Sequence, residues 1–536
     1  MPDGKLHGLG LTHISTGIPV DLFVSADAPQ ALLYVRTLPV SEAGEPWIAQ
    51  RLLLGAARDT LAARADPGAG EAGGVRLAAQ TTQSRTVFQL VWPSEAGDWL
   101  AELDTALDAI INPQVSEARI RELIWSLDVI ASDVSGRLEL IEQGTLYREA
   151  VARAREPRAI ARELIFTLCY GRDHPMGAPA HGTPNAMREL RPEQVWDYLS
   201  RTYYPDARVG LILFAPPAAP EAAQGEVRTR NAQVWPPAAL LTELDAQLRG
   251  LRERRDAAEE VSDAGFWRKP PPVIPPFSSR DASALYQLSF PADSSRSDGV
   301  ALLGWRPRAG LDVATTLRQQ LLWGLLARRL SGPGGHPDLQ VEFPALEGDP
   351  VLLWLPFDAT RGGAIERLRA VRRQITTRLA SLAEMSAPPE SLSTLRIDAQ
   401  AELAQLRETL RDRLEAPPAE GQSGDVLFWV MHCARLRREE GSRKDLALAA
   451  ATEMLSDEVA SGGPWAGWVR RFDLRRAPYM VAVRPDPERA AELEAARRAR
   501  LQEAAAALQD HFGAADWQEA LRRFRDFLRE RRGSSR

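Results

Sequence analysis

Gly44-Glu45-Pro46-Trp47-Ile48-Ala49-Gln50-Arg51-Leu52-Leu53-Leu54-Gly55 is the stretch whose spacing could carry chemistry. It opens a helical pattern directly after an apolar, strand-like run from Ala31 to Val35. Residues four apart share one face of a helix. Two histidines at that spacing bind zinc, and a glutamate beside them activates water. Here the slots hold Trp47 and Arg51, with Gln50 beside Arg51. An indole offers no lone pair to a metal, a guanidinium is permanently cationic, and a carboxamide takes no proton from water. The spacing is that of a hydrolytic metal helix, and the residue types are not.

The elements around this helix follow from pattern. Residues 18–36 alternate and then run apolar, as paired strands do. Helix is expected from Pro46 to about Ala65, broken by Asp66-Pro67-Gly68-Ala69-Gly70. Two β-rich runs follow, Val75–Thr82 and Thr86–Trp92. Asp98–Ile111 reads as an amphipathic helix ended by Asn112-Pro113, with more helix over Ser116–Asp128. A loop, His174-Pro175-Met176-Gly177-Ala178-Pro179-Ala180-His181-Gly182-Thr183, precedes Leu190, Val195, Tyr198, Tyr203 and Tyr204-Pro205 and the strand Val209–Phe214.

These blocks together resemble the insulinase (pitrilysin) metallopeptidase family, and its presequence-protease branch most. That branch carries a "TPP…GxPHILEH…LxG" run containing the inverted zinc motif His-x-x-Glu-His. The chain gives Thr37-Leu38-Pro39, Gly44-Glu45-Pro46, and Leu54-Gly55 in the same frame, with all three chemical positions replaced. Gly73-Gly74 through Thr82 is similar to the family's "GG…NAxTxxDxTxY" segment, with Ala79 in place of Asn; the His174–Thr183 loop is similar to "HPYG…GT". The resemblance implies that Ala79, Gln80, Thr81 and Thr82 form a channel wall near an exposed strand edge that takes peptide by strand addition. It also implies a third zinc-ligand position on a later helix, for which Glu149 is the better counterpart and Glu122 the competitor. One carboxylate cannot hold zinc without the two histidines, so no zinc or other cofactor is expected. His174 and His181 lie seven apart across Pro and Gly, which does not suit one helical face. The substrate-binding "R…EQLGY" signature is not recognisable: Arg329 stands near the arginine position, and no tyrosine follows.

The second part of the chain repeats the order of the first. Strands over Ala284–Phe290 and Val300–Trp305, a helix over Leu311–Leu330 stopped by Gly332-Pro333-Gly334-Gly335, strands at Val341–Phe343 and Val351–Phe357, and a helix over Ala364–Leu382 give β-β-α-β-β-α twice. Helices are expected over Pro388–Leu414, from Gly424, and over Arg443–Val459 and Trp465–Phe472, then the strand Tyr479–Val483. The expected fold is α+β: two homologous insulinase-like domains, each an antiparallel-rich sheet with helices on one face. The boundaries are 1–218, a Pro-rich and charged helical linker over 219–281, and 282–536 with charged C-terminal helices. The linker helix from Leu240 to Val261 reads as a solvated spacer, with dimerisation as the other reading. Glu488–Arg532 is charged and helical, packing on its own domain or docking a partner.

At 536 residues the chain exceeds one hydrophobic core. A hydrophobic share of 44% and a charged share of 26% are those of a soluble globular protein, and a net charge of −6 points to neither nucleic acid nor an anionic membrane. Cys169 and Cys433 stand in apolar helical contexts and read as buried thiols. No signal-like or membrane-length apolar run occurs, so a cytoplasmic protein is expected. An Arg-rich, Lys-poor, Ala-rich composition suggests a GC-rich bacterial genome.

The functional expectation is a catalytically inactive homologue of a zinc metallopeptidase. Its implied partner is an active insulinase-family subunit, or a second copy in a homodimer, closing a chamber around unfolded peptides. The alternatives are a scaffold protein of the same fold without a role in proteolysis, as in respiratory-complex core subunits, and an active enzyme with ligands drawn from His13, His174, His181 and Glu149.

Overall fold

The structure is a computed structural model. It describes the chain except for residues 1–6, 12–15, 26–27, 65–73, 94–98, 132–136, 207, 216–236, 262–283, 293–297, 307–311, 332–337, 344–347, 360–362, 384–388, 437–443, 462–463 and 534–536. The sequence-expected breaks at 66–70 and 332–335, the Ala/Pro-rich stretch from Pro216 and the Pro-rich stretch from Lys269 lie outside the described residues. So does His13.

The first half contains β1 (His7–Leu11), β2 (Val20–Val24), β3 (Gln30–Arg36), β4 (Arg76–Thr81), β5 (Arg85–Val91), the hairpin β6 (Ser126–Ala131) and β7 (Leu138–Gln143), and β8 (Val209–Ala215). Its main sheet has the order β1-β2-β8-β3-β5-β4, with β2 and β8 parallel and the other pairs antiparallel. The second half supplies β9 (Leu285–Pro291), β10 (Asp298–Trp305), β11 (Gln340–Glu342), β12 (Val351–Asp358) and β13 (Tyr479–Asp486). Its order, β9-β13-β10-β12-β11, repeats β2-β8-β3-β5-β4 strand for strand, including the single parallel pair. The two similar sheet-and-helix layers read from the sequence are present, and the chain is an α+β repeat.

Each sheet packs its own helices on one face. Leu33, Val35, Phe88 and Leu90 share a core with the Glu45–Arg64 and Trp99–Ile111 helices. Successive strand residues point to opposite faces, so Leu32, Tyr34, Val87, Ile212 and Phe214 face away. They are nevertheless buried, because the Ser423–Leu436 helix of the second half lies over them. Trp429 of that helix, 1% exposed, meets Phe23 and Phe214 at centroid distances of 4.9 and 5.0 Å. The exchange is reciprocal: Ile165, Phe166 and Cys169 on the Pro157–Tyr170 helix of the first half cover Leu302, Trp354, Val481 and Val483 of the second sheet. The expectation of helices on one face holds for each half's own helices, and a helix from the other half fills the second face. Burial on both faces explains why the strands read as continuous apolar runs. Both thiols, Cys169 and Cys433, sit buried and outside any disulfide in these exchanged helices, and burial pushes the Cys169 thiol up to about 12.

Three segments differ from their sequence reading. The Pro237–Val261 helix is no solvated spacer. Leu240, Leu244, Leu248 and Leu251 enter the first core, Arg254 pairs with Asp104 and Asp108, and Arg255 donates to the carbonyls of Ile111 and Ser200. Its apolar stripe runs i, i+4, i+8, i+11, and the charged residues between hide it from composition. The helix expected over Ser116–Asp128 stops at Leu123, capped at its start by Ser116, and residues 126–131 become β6. The C-terminal helices, Pro487–Phe512 and Trp517–Gly533, turn at left-handed Gly513 and pack on the first half, through Leu501, Leu508, Leu521 and Phe524 against Val129, Leu138 and Leu140. Glu142, its side chain 5% exposed, accepts from Arg500 at 3.3 and 3.4 Å and pairs with Arg497. Among the described residues no helix is long and apolar enough to cross a membrane.

Truncating Trp429 removes the largest side chain at the junction of the Ser423–Leu436 helix and the first sheet. Trp429→Ala is expected to cost about 3–5 kcal/mol, read by urea denaturation at unchanged slope.

Candidate functional site

Two glycines fix where the first helix starts. Gly44 (φ +79°) and Gly182 (φ +74°) cross so closely that a Cβ on either would meet the other segment's backbone. Both also adopt a left-handed conformation that glycine takes without steric cost. The Thr183 amide donates to the Glu42 carbonyl at 2.7 Å and holds the crossing. The Gly44 carbonyl then accepts from Trp47 and Ile48, and the helix begins with Glu45 and Pro46, where a proline costs no hydrogen bond.

Trp47 therefore lies beneath the loop, 7% exposed, with the His181 ring edge-on at 5.2 Å. One turn on, Arg51 reaches the Thr145–Arg153 helix and donates from one guanidinium nitrogen to both oxygens of Glu149, at 3.1 and 3.3 Å. Gln50 is buried. Its Nε2 donates to the Ala79 carbonyl at 3.0 Å, and its Oε1 accepts from Thr81 at 3.4 Å. The sequence-predicted positions Trp47, Gln50, Arg51 and Glu149 are thus brought to one place, with Ala79 and Thr81 alongside. Glu122 is elsewhere engaged, pairing with Arg119 on its own helix at 2.9 Å. Gln80 donates to the Ser423 carbonyl and Thr82 to that of Arg85, so the four wall residues serve different contacts.

These residues do not fit zinc. A catalytic zinc takes three protein ligands. Of this set only Glu149 is a ligand type, and a cation already holds it. The side chains of Arg51 and Glu149 are 43% and 41% exposed, so the pair contributes at most about 1 kcal/mol to stability. It acts chiefly by compensating charge.

The two histidines of the loop, His174 and His181, make structural contacts. His174 Nδ1 accepts from the Met176 amide at 3.1 Å, and its ring stacks on Tyr170 at 4.9 Å. Burial, reinforced by Arg153 and Arg162, pulls His181 down to about 3. Among the described residues no three His, Cys, Asp or Glu side chains gather as a metal would require. Arg329 is held by Asp398 at 3.0 Å. Sequence reasoning missed Arg58, which donates to the Leu77 carbonyl at 2.8 Å; its place one helical face along from Gln50, at i+8, was the available signal.

At the level of sequence the chain matches no family model and no curated protein. Solved structures do match it. One, described as an M16-like peptidase from Alicyclobacillus acidocaldarius, has a TM-score of 0.55 at 12% identity over 91% of this chain and 99% of its own. The fold is that of the M16-like peptidases. A peptidase M16 inactive domain from Pseudomonas fluorescens matches at 0.54, with 13% identity over 90% of this chain and 98% of its own. A chain of Complex III2 from Candida albicans also matches at 0.54, with 10% identity over 90% and 96%. The M16-like, or insulinase-type, fold therefore spans proteins described as peptidases and one described as inactive.

Two outcomes are expected. Trp47→His with Arg51→His places two imidazoles four residues apart beside Glu149, and the double variant should bind one zinc per chain by metal titration; adding Glu149→Ala should abolish it. Separately, His181 binds a proton less readily folded than unfolded. Stability from this site is complete above the ordinary value of 6.5 and declines as pH falls toward about 3. His181→Gln should therefore lose less melting temperature than the unsubstituted protein between about pH 7 and about pH 4.

Proposed function

We propose that this chain is a catalytically inactive homologue of the zinc peptidases of its fold, and that it closes a peptide-binding chamber together with an active partner chain. The observation that carries the reading is the Arg51–Glu149 pair. A fixed positive charge stands where hydrolysis would need a metal cation, while the Gly44–Gly182 crossing and both sheet-and-helix layers are retained. Retention of the scaffold with loss of the chemistry suits a subunit whose surface matters and whose own reaction does not. The likeness to an inactive M16 domain supports the same view. The partner would be a chain with an intact His-x-x-Glu-His helix or, failing that, a second copy of this one.

A second reading is a scaffold with no role in proteolysis. It is favoured by Arg329, which Asp398 holds inside its own half, and by the likeness to a chain of Complex III2. Affinity capture followed by reconstitution separates the two. The first reading expects the purified chain to cleave no peptide with or without added zinc, and to raise peptide hydrolysis when mixed with a captured chain that carries the intact motif. Capture of chains without that motif, and no effect on any peptidase, supports the scaffold. Metal-dependent hydrolysis by the chain alone overturns both.

A further inference from the structure

Among the described residues β4 is the terminal strand of the first sheet. An unpaired strand edge offers a row of N–H and C=O groups to any extended segment that arrives. The register shows which residues provide that row. The β4–β5 turn closes with the Thr82 amide donating to the Arg85 carbonyl at 2.8 Å, and Thr81 opposes Thr86, Gln80 Val87, and Ala79 Phe88. Hydrogen-bonded and non-hydrogen-bonded pairs alternate in an antiparallel ladder. Gln80 and Ala78 therefore direct their backbone groups to β5, whereas Leu77, Ala79 and Thr81 direct theirs outward.

Two of those three outward carbonyls are already taken, both by the first helix. Gln50 donates to Ala79 at 3.0 Å, and Arg58 donates to Leu77 at 2.8 Å. The Thr81 hydroxyl donates to Gln50 Oε1 and so helps hold that carboxamide against the strand. Gln50 is buried, so its carboxamide has no water to turn to if the bond breaks. We propose that Gln50 and Arg58 close the outer edge of β4 against strand addition, so that this chain binds no extended peptide there.

The residue type at position 50 matters. A carboxylate in that position would repel the Ala79 carbonyl and leave it open, whereas the carboxamide donates to it. The replacement that removes a proton acceptor thus also supplies an edge cap. If the chain lines a chamber, it contributes a wall, and a strand-binding edge must come from elsewhere. The inference goes beyond the pairing proposed above and stands whether or not that pairing occurs.

The test uses a fluorescein-labelled, unstructured peptide of about fifteen residues rich in Val and Thr, with anisotropy as the readout. Gln50→Met with Arg58→Met keeps side-chain length and removes both donors. The unsubstituted chain should bind weakly, with no peptide-dependent protection of residues 76–81 in amide hydrogen exchange. The double variant should bind at least about tenfold tighter and protect that segment. The proposal is overturned if the unsubstituted chain already protects residues 76–81, a result that does not depend on the variant folding. It is equally overturned if the double variant, native by circular dichroism, shows no gain.

Discussion

Arg51 places a guanidinium cation on the exposed turn of the first helix, and it lies against the Glu149 carboxylate of a neighbouring helix. The distance from Arg51 to Glu149, 3.1 Å, is an ordinary ion-pair contact, and both side chains remain partly in water. Its consequence is chemical more than energetic. With the cation covalently built into the helix, a divalent ion would have to approach against it. Trp47 closes the neighbouring slot by packing, and Gln50 turns its amide to the sheet. Trp47, Gln50 and Arg51, each with a different partner, make one helical face a joint between a helix, a loop and a strand.

That joint is held by a scaffold in which neither half is complete alone. Each sheet buries its second face under a helix contributed by the other half, with Trp429 on one and Phe166 on the other. The C-terminal helices add a further tie, because Arg497 and Arg500 of the last third of the chain neutralise the buried Glu142 of the first. A boundary drawn in sequence cuts through cores that are continuous in space, so unfolding either half exposes apolar surface on both. The repeat of strand order, down to the single parallel pair, suggests two copies of one unit that remain interlocked.

The legible part of the sequence was the part governed by local pattern. The helix from Glu45, most strands of the two main sheets, and the doubled β-β-α order follow from periodicity and turn residues, and Glu149, singled out by resemblance, lies against Arg51. What was not legible depended on distant partners. Residues 126–131 are strand only because β7 pairs with them, and nothing within Ser126–Ala131 announces it. The leucines of the Pro237–Val261 helix are diluted by charge, and only the groove beside the Trp99–Ile111 helix makes them a core face. The bonds from Gln50 and Arg58 to β4 depend on a helix and a strand edge whose approach is set by the Gly44–Gly182 crossing. Its two glycines were visible in motifs, and their contact was not.

The most direct measurement is diffraction from crystals grown with excess zinc, with data collected on both sides of the zinc absorption edge. An anomalous map should be empty between Glu149 and the first helix, with the Arg51 guanidinium still on the carboxylate. A strong peak about 2.0–2.2 Å from a Glu149 oxygen, with Arg51 swung away, would contradict the claim that the guanidinium has taken the place of a metal.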